Sequence, residues 1–274
     1  FNTAAHTLCT AGQGILIQTP VYPPFLSVHQ NAGLVRQDSP LSMTAEDVTL
    51  RYQVDFDVFE RAVNSAGAQT GMFLLCNPHN PTGQVYSRDD LTRMAEICQR
   101  NNIFICSDEI HSELLLGGAQ HIPLAIISPE IAGRTITLIA PSKTFNVAGL
   151  QCAFAILPNQ ELLNRYKQTV EKLAMHVNSL GLVAAQAAFS GACDDWLEAL
   201  RIYLTGDRDF LFEYVKRELK GIRVTVPAAT YLAWLDCNEL ARSGRLTGTP
   251  HEFFLKQAKV ALNEGKEFGF GGEG

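Results

Sequence analysis

Lys143 ends an almost wholly apolar run, TITLIAPS over 135–142, and is followed by Thr144, Phe145 and Asn146. An amine placed there emerges at the margin of a hydrophobic layer, partly desolvated. Desolvation and nearby positive charge both lower a lysine pKa, leaving the amine nucleophilic toward an aldehyde and able to act afterwards as a base. A plain surface lysine in a loop is the simpler reading of the same residue. Asp108 lies at the end of a second apolar run, NIFICSDE over 102–109. A carboxylate buried in this way needs a cationic partner, because losing one member of a buried pair costs about 3–5 kcal/mol. A protonated pyridine nitrogen would serve; the plainer alternative is that Asp108 caps a loop or accepts from a backbone amide. A third run, GMFLLCN over 71–77, leads straight into PHNPTG and the amide of Asn80.

The segments around these residues say how they could meet. Short apolar runs alternate with longer helical patterns, the sign of βαβ units and a mostly parallel sheet. Two further strand candidates are GILIQT (14–19) and CAFAILP (152–158). Between the runs that end near Asn77 and Asp108 lies SRDDLTRMAEICQRN, in which Ser87 is a helix cap and Leu91, Met94, Ala95 and Cys98 form one apolar stripe. That pattern predicts a crossover helix. In open α/β sheets the ligand sits beyond the carboxyl ends of the strands. Consecutive strands would therefore deliver an amide, a carboxylate and an amine to one rim.

Beyond about residue 159 the pattern turns to long helices, ELLNRYKQTVEKLA, LGLVAAQAAFSG and DDWLEALRIYLTGDRDFLFEYVKREL. A smaller α+β segment follows, with strand candidates IRVTV and TYLAWLD and a helix HEFFLKQAKVALNE. We expect a large α/β domain over residues 1–190 and a smaller C-terminal α+β domain over 191–274. Both are expected to be incomplete. The opening FNTAAHTL reads as the interior of a helix without a cap, and KEFGFGGEG as a glycine-rich turn that leads onward.

Composition narrows the classes of function. The formal charge of −6 and the lack of a basic run argue against nucleic acid as the main ligand. No apolar stretch reaches the roughly 18 residues of a membrane span, and the first residues lack the blocks of a signal peptide. Seven scattered cysteines carry neither zinc-site nor disulfide-framework spacing, which fits a reducing cytoplasm, and seven histidines show no paired metal-ligand spacing. GFGGEG (269–274) has the letters of the dinucleotide fingerprint, but no strand precedes it and no helix follows, so it is not read as an NAD site.

CNPHNPTG, ICSDEIHSELLLGG and APSKTFNVAGLQ, in that order, resemble the signature segments of fold type I pyridoxal 5′-phosphate (PLP) enzymes. TPVYPPF, SDEIH and SKTFNVAGLQ are most similar to the cystathionine β-lyase-like, carbon–sulfur lyase branch of the class I and II aminotransferase family. The resemblance runs from about residue 10 to the end. It implies an aspartate aminotransferase-like large domain with a mostly parallel sheet, a homodimer and a small amino-acid substrate. It further implies that Lys143 holds PLP as a Schiff base, that Asp108 pairs with the pyridinium nitrogen, and that Asn80 donates to the phenolic oxygen of the cofactor.

Three more positions are carried over from the resemblance. His111 stands where aminotransferases often have a Tyr touching that same oxygen; a packed histidine is the alternative. Tyr22 resembles the aromatic residue that stacks on the cofactor ring, though an aromatic between prolines also packs without such a role. Ser142 matches a position often near the cofactor phosphate. Where many aminotransferases carry a phosphate-binding Arg after the lysine, this chain has Gln151, a departure that favours the lyase branch. Asn77 and His79 are assigned turn and packing roles. Glu109 is expected to face away from Asp108, as strand alternation requires, and is not taken as an acid.

The implied reaction is β-elimination from cystathionine or cysteine-type amino acids to a thiol, pyruvate and ammonia. Aminotransfer is the alternative, since the same groups serve both. A truncated, non-catalytic remnant or binding protein is the alternative of another class. In the family, the segment after FGFGGEG leads to an Arg that grips the substrate carboxylate, and the segment before residue 1 brings further phosphate donors.

Overall fold

Runs that are short, apolar on both faces and rich in β-branched residues suit strands buried between helical layers. A computed structural model of the protein describes residues 1–274. In chain order the strands are β1 (Gly14–Thr19), β2 (Val35–Pro40), β3 (Ser42–Glu46), β4 (Thr49–Gln53), β5 (Thr70–Cys76), β6 (Phe104–Asp108), β7 (Thr135–Ile139), β8 (Phe154–Ile156), β9 (Arg223–Thr225) and β10 (Leu235–Asp236). The helices are α1 (Asn2–Leu8), α2 (Pro23–Ala32), α3 (Phe56–Ala62), α4 (Arg88–Arg100), α5 (Pro129–Ala132), α6 (Gln160–Lys172), α7 (Ser179–Ala188), α8 (Asp194–Glu218), α9 (Asn238–Arg242) and α10 (Pro250–Phe253).

Six strands form the main sheet in the order β2-β1-β5-β6-β7-β8, parallel throughout except that β8 runs antiparallel to β7. Alternation along each strand feeds two cores. Ile15, Ile17, Met72, Leu74, Cys76 and Cys106 pack with Ala4 and Ala5 of α1 and Phe25 and Val28 of α2. Leu16, Phe73, Leu75 and Ile105 pack on the other face with Phe59 of α3 and Leu91, Met94 and Cys98 of α4. The predicted crossover helix is thus present, with its apolar stripe buried. Its start is a full capping box: Ser87 Oγ accepts from the Asp90 amide at 3.1 Å, and the Asp90 carboxylate accepts from the Ser87 amide at 3.3 Å.

A second sheet, in the order β10-β9-β4-β3, joins residues 42–53 to residues 223–236. The small layer therefore draws on both halves of the chain. Its first two strands carry little sequence signal: β3 is SMTAE and is exposed throughout. Two expectations for the C-terminal segment need correction. The helix expected over 251–264 ends after α10 and one π-type turn, Phe254–Ala258. Lys259 there turns left-handed, and the Leu262 carbonyl folds back to meet His251 Nδ1. TYLAWLD contributes only the two residues of β10, because Thr230 takes φ +73° and bends the backbone. Tertiary packing, with residues 261–265 drawn toward the rim, overrides local pattern in both places. No helix is long and apolar enough to cross a membrane.

Candidate active site

Register brings the chemistry-bearing residues to one rim. Cys76 of β5 lies beside Asp108 of β6, and Asp108 beside Leu138 of β7. The three parallel strands therefore end together, and the loops carrying Asn80, His111 and Lys143 all leave from that edge. The backbone fastens the tips: the Asn77 amide donates to the Asp108 carbonyl at 3.0 Å, and the Glu109 amide to the Leu138 carbonyl at 2.9 Å.

A cavity of about 500 Å³ opens above these tips, lined by Tyr22, Asn80, His111 and Lys143 on the rim side. The Tyr22 turn is tied to the Asn80 loop by its amide, which donates to the Asn80 carbonyl at 3.1 Å. Gly83 closes the same loop at φ +71°, and a Cβ there would fall 2.2 Å from Pro227 Cβ. Only glycine fits that approach. The Gly83 carbonyl accepts from the Ala228 and Ala229 amides at 2.8 and 2.9 Å, joining the rim to the opposite wall.

Asp108 sits behind the cavity wall, 9% exposed, on the face it shares with Cys76 and Cys106. Its carboxylate accepts from the Ile110 amide at 3.3 Å. Burial pushes its pKa up to about 6, opposed first by the charge of the N-terminal amine, then by the Ile110 hydrogen bond and least by Lys143. His111, 3% exposed, is held down to about 4 by burial and then by Lys143, so it is neutral near pH 7. Its Nδ1 is buried with no partner in the protein. Lys143 thus lies close enough to both Asp108 and His111 for its charge to be felt at each. Ser142 is half-buried in the turn just before Lys143 and does not line the cavity. Asn77 and His79 serve the loop: Asn77 Oδ1 accepts from the Tyr86 amide at 3.2 Å, and His79 Nδ1 meets Thr82 Oγ1 at 2.8 Å.

The wall opposite the rim was not foreseen. Tyr231, Trp234, His251, Glu264 and Glu267 line it, and the Tyr231 ring stands edge-on to His111 at 5.9 Å. The aromatic spacing in TYLAW was the one signal that could have marked part of it. Phe268 is fixed there by Trp234, ring centroids 5.1 Å apart, and its carbonyl accepts from the Val21 amide at 2.9 Å.

The residues present fit PLP. A buried carboxylate with a single backbone donor suits a protonated ring nitrogen, the unpartnered His111 Nδ1 and the Asn80 amide offer polar contacts, and a half-buried lysine opens on the same cavity.

Comparison with known proteins agrees. The sequence matches the family described as aminotransferase class I and II over residues 2–274. Cystathionine beta-lyase PatB of Bacillus subtilis is 32% identical over 274 residues, which cover all of this chain and 68% of that protein. The PLP-bound C-S lyase from Staphylococcus hominis superposes with a TM-score of 0.89 at 30% identity, covering all of this chain and 67% of that one. Cystalysin from Treponema denticola, whose structure contains PLP, gives a TM-score of 0.88 at 28% identity, covering all of this chain and 68% of that one. The chain spans about two thirds of the length of these relatives.

Proposed function

From the premise that the chain belongs to the class I and II aminotransferase family, we propose that it is the body of a PLP-dependent carbon–sulfur β-lyase acting on cystathionine or cysteine-type amino acids. The observation that carries this reading is the convergence of Lys143, Asn80, His111 and Tyr22 on one cavity, with Asp108 buried behind it. PLP supplies an aldehyde with which amino groups condense and an electron-accepting ring that stabilises negative charge at the substrate α-carbon.

The protein's own groups do the rest. Lys143 is the attachment point for the cofactor and then the base that takes the substrate α-proton. Asp108 provides the fixed anion that keeps a ring nitrogen protonated, and its buried position makes that pairing strong. Asn80 would orient the cofactor through a donated hydrogen bond, and Tyr22 would cover one face of its ring. His111, neutral at working pH, adds a polar contact without a competing charge. The products are a thiol, pyruvate and ammonia. Tested with cystathionine and no keto acid, PLP-loaded protein is expected to release pyruvate; absence of release would count against the lyase reading.

Aminotransfer is the second reading, favoured by the family match itself. Turnover that depends on an added keto acid would select it. We also propose a homodimer in a reducing, cytoplasmic setting. Apolar side chains along α7 and α8, including Leu180 (70% exposed) and Phe210 (71% exposed), are more apolar surface than a lone copy usually leaves open. The seven thiols are all free. Light scattering is expected to give the mass of two chains.

A further inference from the structure

Asp108 and Glu109 follow one another at the tip of β6 and face opposite ways, yet both are buried, at 9% and 2% exposure. Asp108 lies on the face of the sheet that carries Cys76 and Cys106. Glu109 turns toward the α4 side and gathers three contacts: Ser107 Oγ donates to its Oε1 at 2.8 Å, the Leu124 amide donates to Oε1 at 3.1 Å, and His121 Nε2 meets Oε2 at 2.8 Å. The His121 side chain is itself 6% exposed.

Two of those contacts come from the far end of a long excursion. Between β6 and Leu124 the chain forms only turns and one isolated bridge, Leu115 with Ala229. That excursion carries His111 into the cavity wall. It also reaches the opposite wall, where the Thr230 amide donates to the Leu114 carbonyl and the Leu116 amide to the Ala228 carbonyl, both at 2.8 Å. The start of the excursion is pinned to the sheet by backbone hydrogen bonds. Its end is held to the β6 tip by the Glu109 carboxylate.

We infer that Glu109, paired with His121, is a positioning residue of the PLP site. It clamps the 110–124 excursion to the β6 tip and so fixes His111, the Asp108 carboxylate and the Tyr231 wall relative to one another. This rests on the proposal that the cavity takes PLP. Groups that orient a ligand's partners from outside the site alter affinity without touching the ligand.

The test is titration of the apoprotein with PLP, followed by the rise of visible absorbance, in wild type, Glu109→Ala and Glu109→Gln. Glu109→Ala strips acceptors from two buried donors and is expected to weaken PLP binding about tenfold or more. Amide exchange across residues 110–124 should accelerate in the same variant. Glu109→Gln keeps an oxygen for Ser107 and the Leu124 amide, and its new N–H can donate to His121 once the ring proton moves to Nδ1, so its affinity should stay within about threefold of wild type. A purely structural role would lower apoprotein stability and leave PLP affinity unchanged; that result overturns the inference, as does equal weakening in both variants. Should Glu109→Ala fail to fold, His121→Ala removes one contact only: weaker PLP binding supports the clamp and unchanged affinity overturns it. Wild type that takes up no PLP overturns the PLP reading and this inference together, whereas uptake by wild type with an unaltered Glu109→Ala overturns the clamp alone.

Discussion

The carboxyl rim of the parallel sheet and the wall facing it, residues 231–274, bound the same cavity by different physics. On the rim, Asp108 is held by strands whose side chains are mostly buried and whose tips are cross-linked through backbone hydrogen bonds. The facing wall has the two residues of β10, short helical segments, turns and side-chain contacts such as Trp234 on Phe268. Groups that must hold a proton or a charge in place sit where the backbone is over-determined. On the proposed reading, groups that would touch the variable part of a substrate sit where it is not.

Lys143→Ala is the most severe challenge to that contrast. It is expected to abolish the visible absorbance of the PLP-loaded protein and to lower turnover by about 10³-fold or more, read in a pyruvate-release assay. Tyr231→Ala, on the facing wall, should instead raise KM about three- to tenfold and leave kcat nearly unchanged, the mark of lost uniform binding. If both substitutions fell mainly on kcat, the division of labour between the two walls would be wrong.

Two rim groups titrate in opposite senses. Asp108, raised from 3.8 to about 6, contributes stability fully present below about pH 4 and lost as pH rises through about 6. His111, lowered from 6.5 to about 4, contributes stability present above about pH 6.5 and lost as pH falls through about 4. Each amounts to about 3 kcal/mol, so in the apoprotein the two nearly cancel between pH 4 and 6.5. Asp108→Asn removes one arm. Urea unfolding of that apoprotein should show stability rising by up to about 3 kcal/mol across this window relative to wild type, with the variant the more stable at pH 7.5. A difference that does not vary with pH would mean that Asp108 is not desolvated.

The support beneath the rim should respond on a smaller and graded scale. Leu91→Ala, in the core behind β5 and β6, is expected to cost about 2–5 kcal/mol of unfolding free energy. Ser87→Ala, which opens the capping box at the exposed start of α4, should cost about 1 kcal/mol, measured the same way.

Much of the rim was legible because its signals are local. An apolar run long enough for one buried strand, followed at once by a polar or charged residue, marks a strand tip, and the runs over 71–77, 102–109 and 135–142 each end that way. Ser87 and its stripe marked α4 for the same reason. The facing wall was not legible. β3, at the edge of the sheet that β10 also joins, is exposed throughout and pairs only because β4 lies beside it, while the stretch after Phe254 has a helical pattern that packing interrupts at Lys259. Glu109 is the mixed case: alternation foretold its direction, but His121 and Leu124 reach it only through a fold-back that no periodicity records.

By itself, then, the sequence determined which side chains stand at strand ends and which face each strand buries, since burial of apolar surface at fixed periods is written residue by residue. Only the tertiary structure decided that Lys143, His111 and Asn80 share one cavity with Asp108 buried behind it, what closes it from the other side, and that a carboxylate on the opposite face holds the loop between them. Those outcomes depend on strand order and on contacts between residues far apart in the chain, which are settled by how whole layers pack.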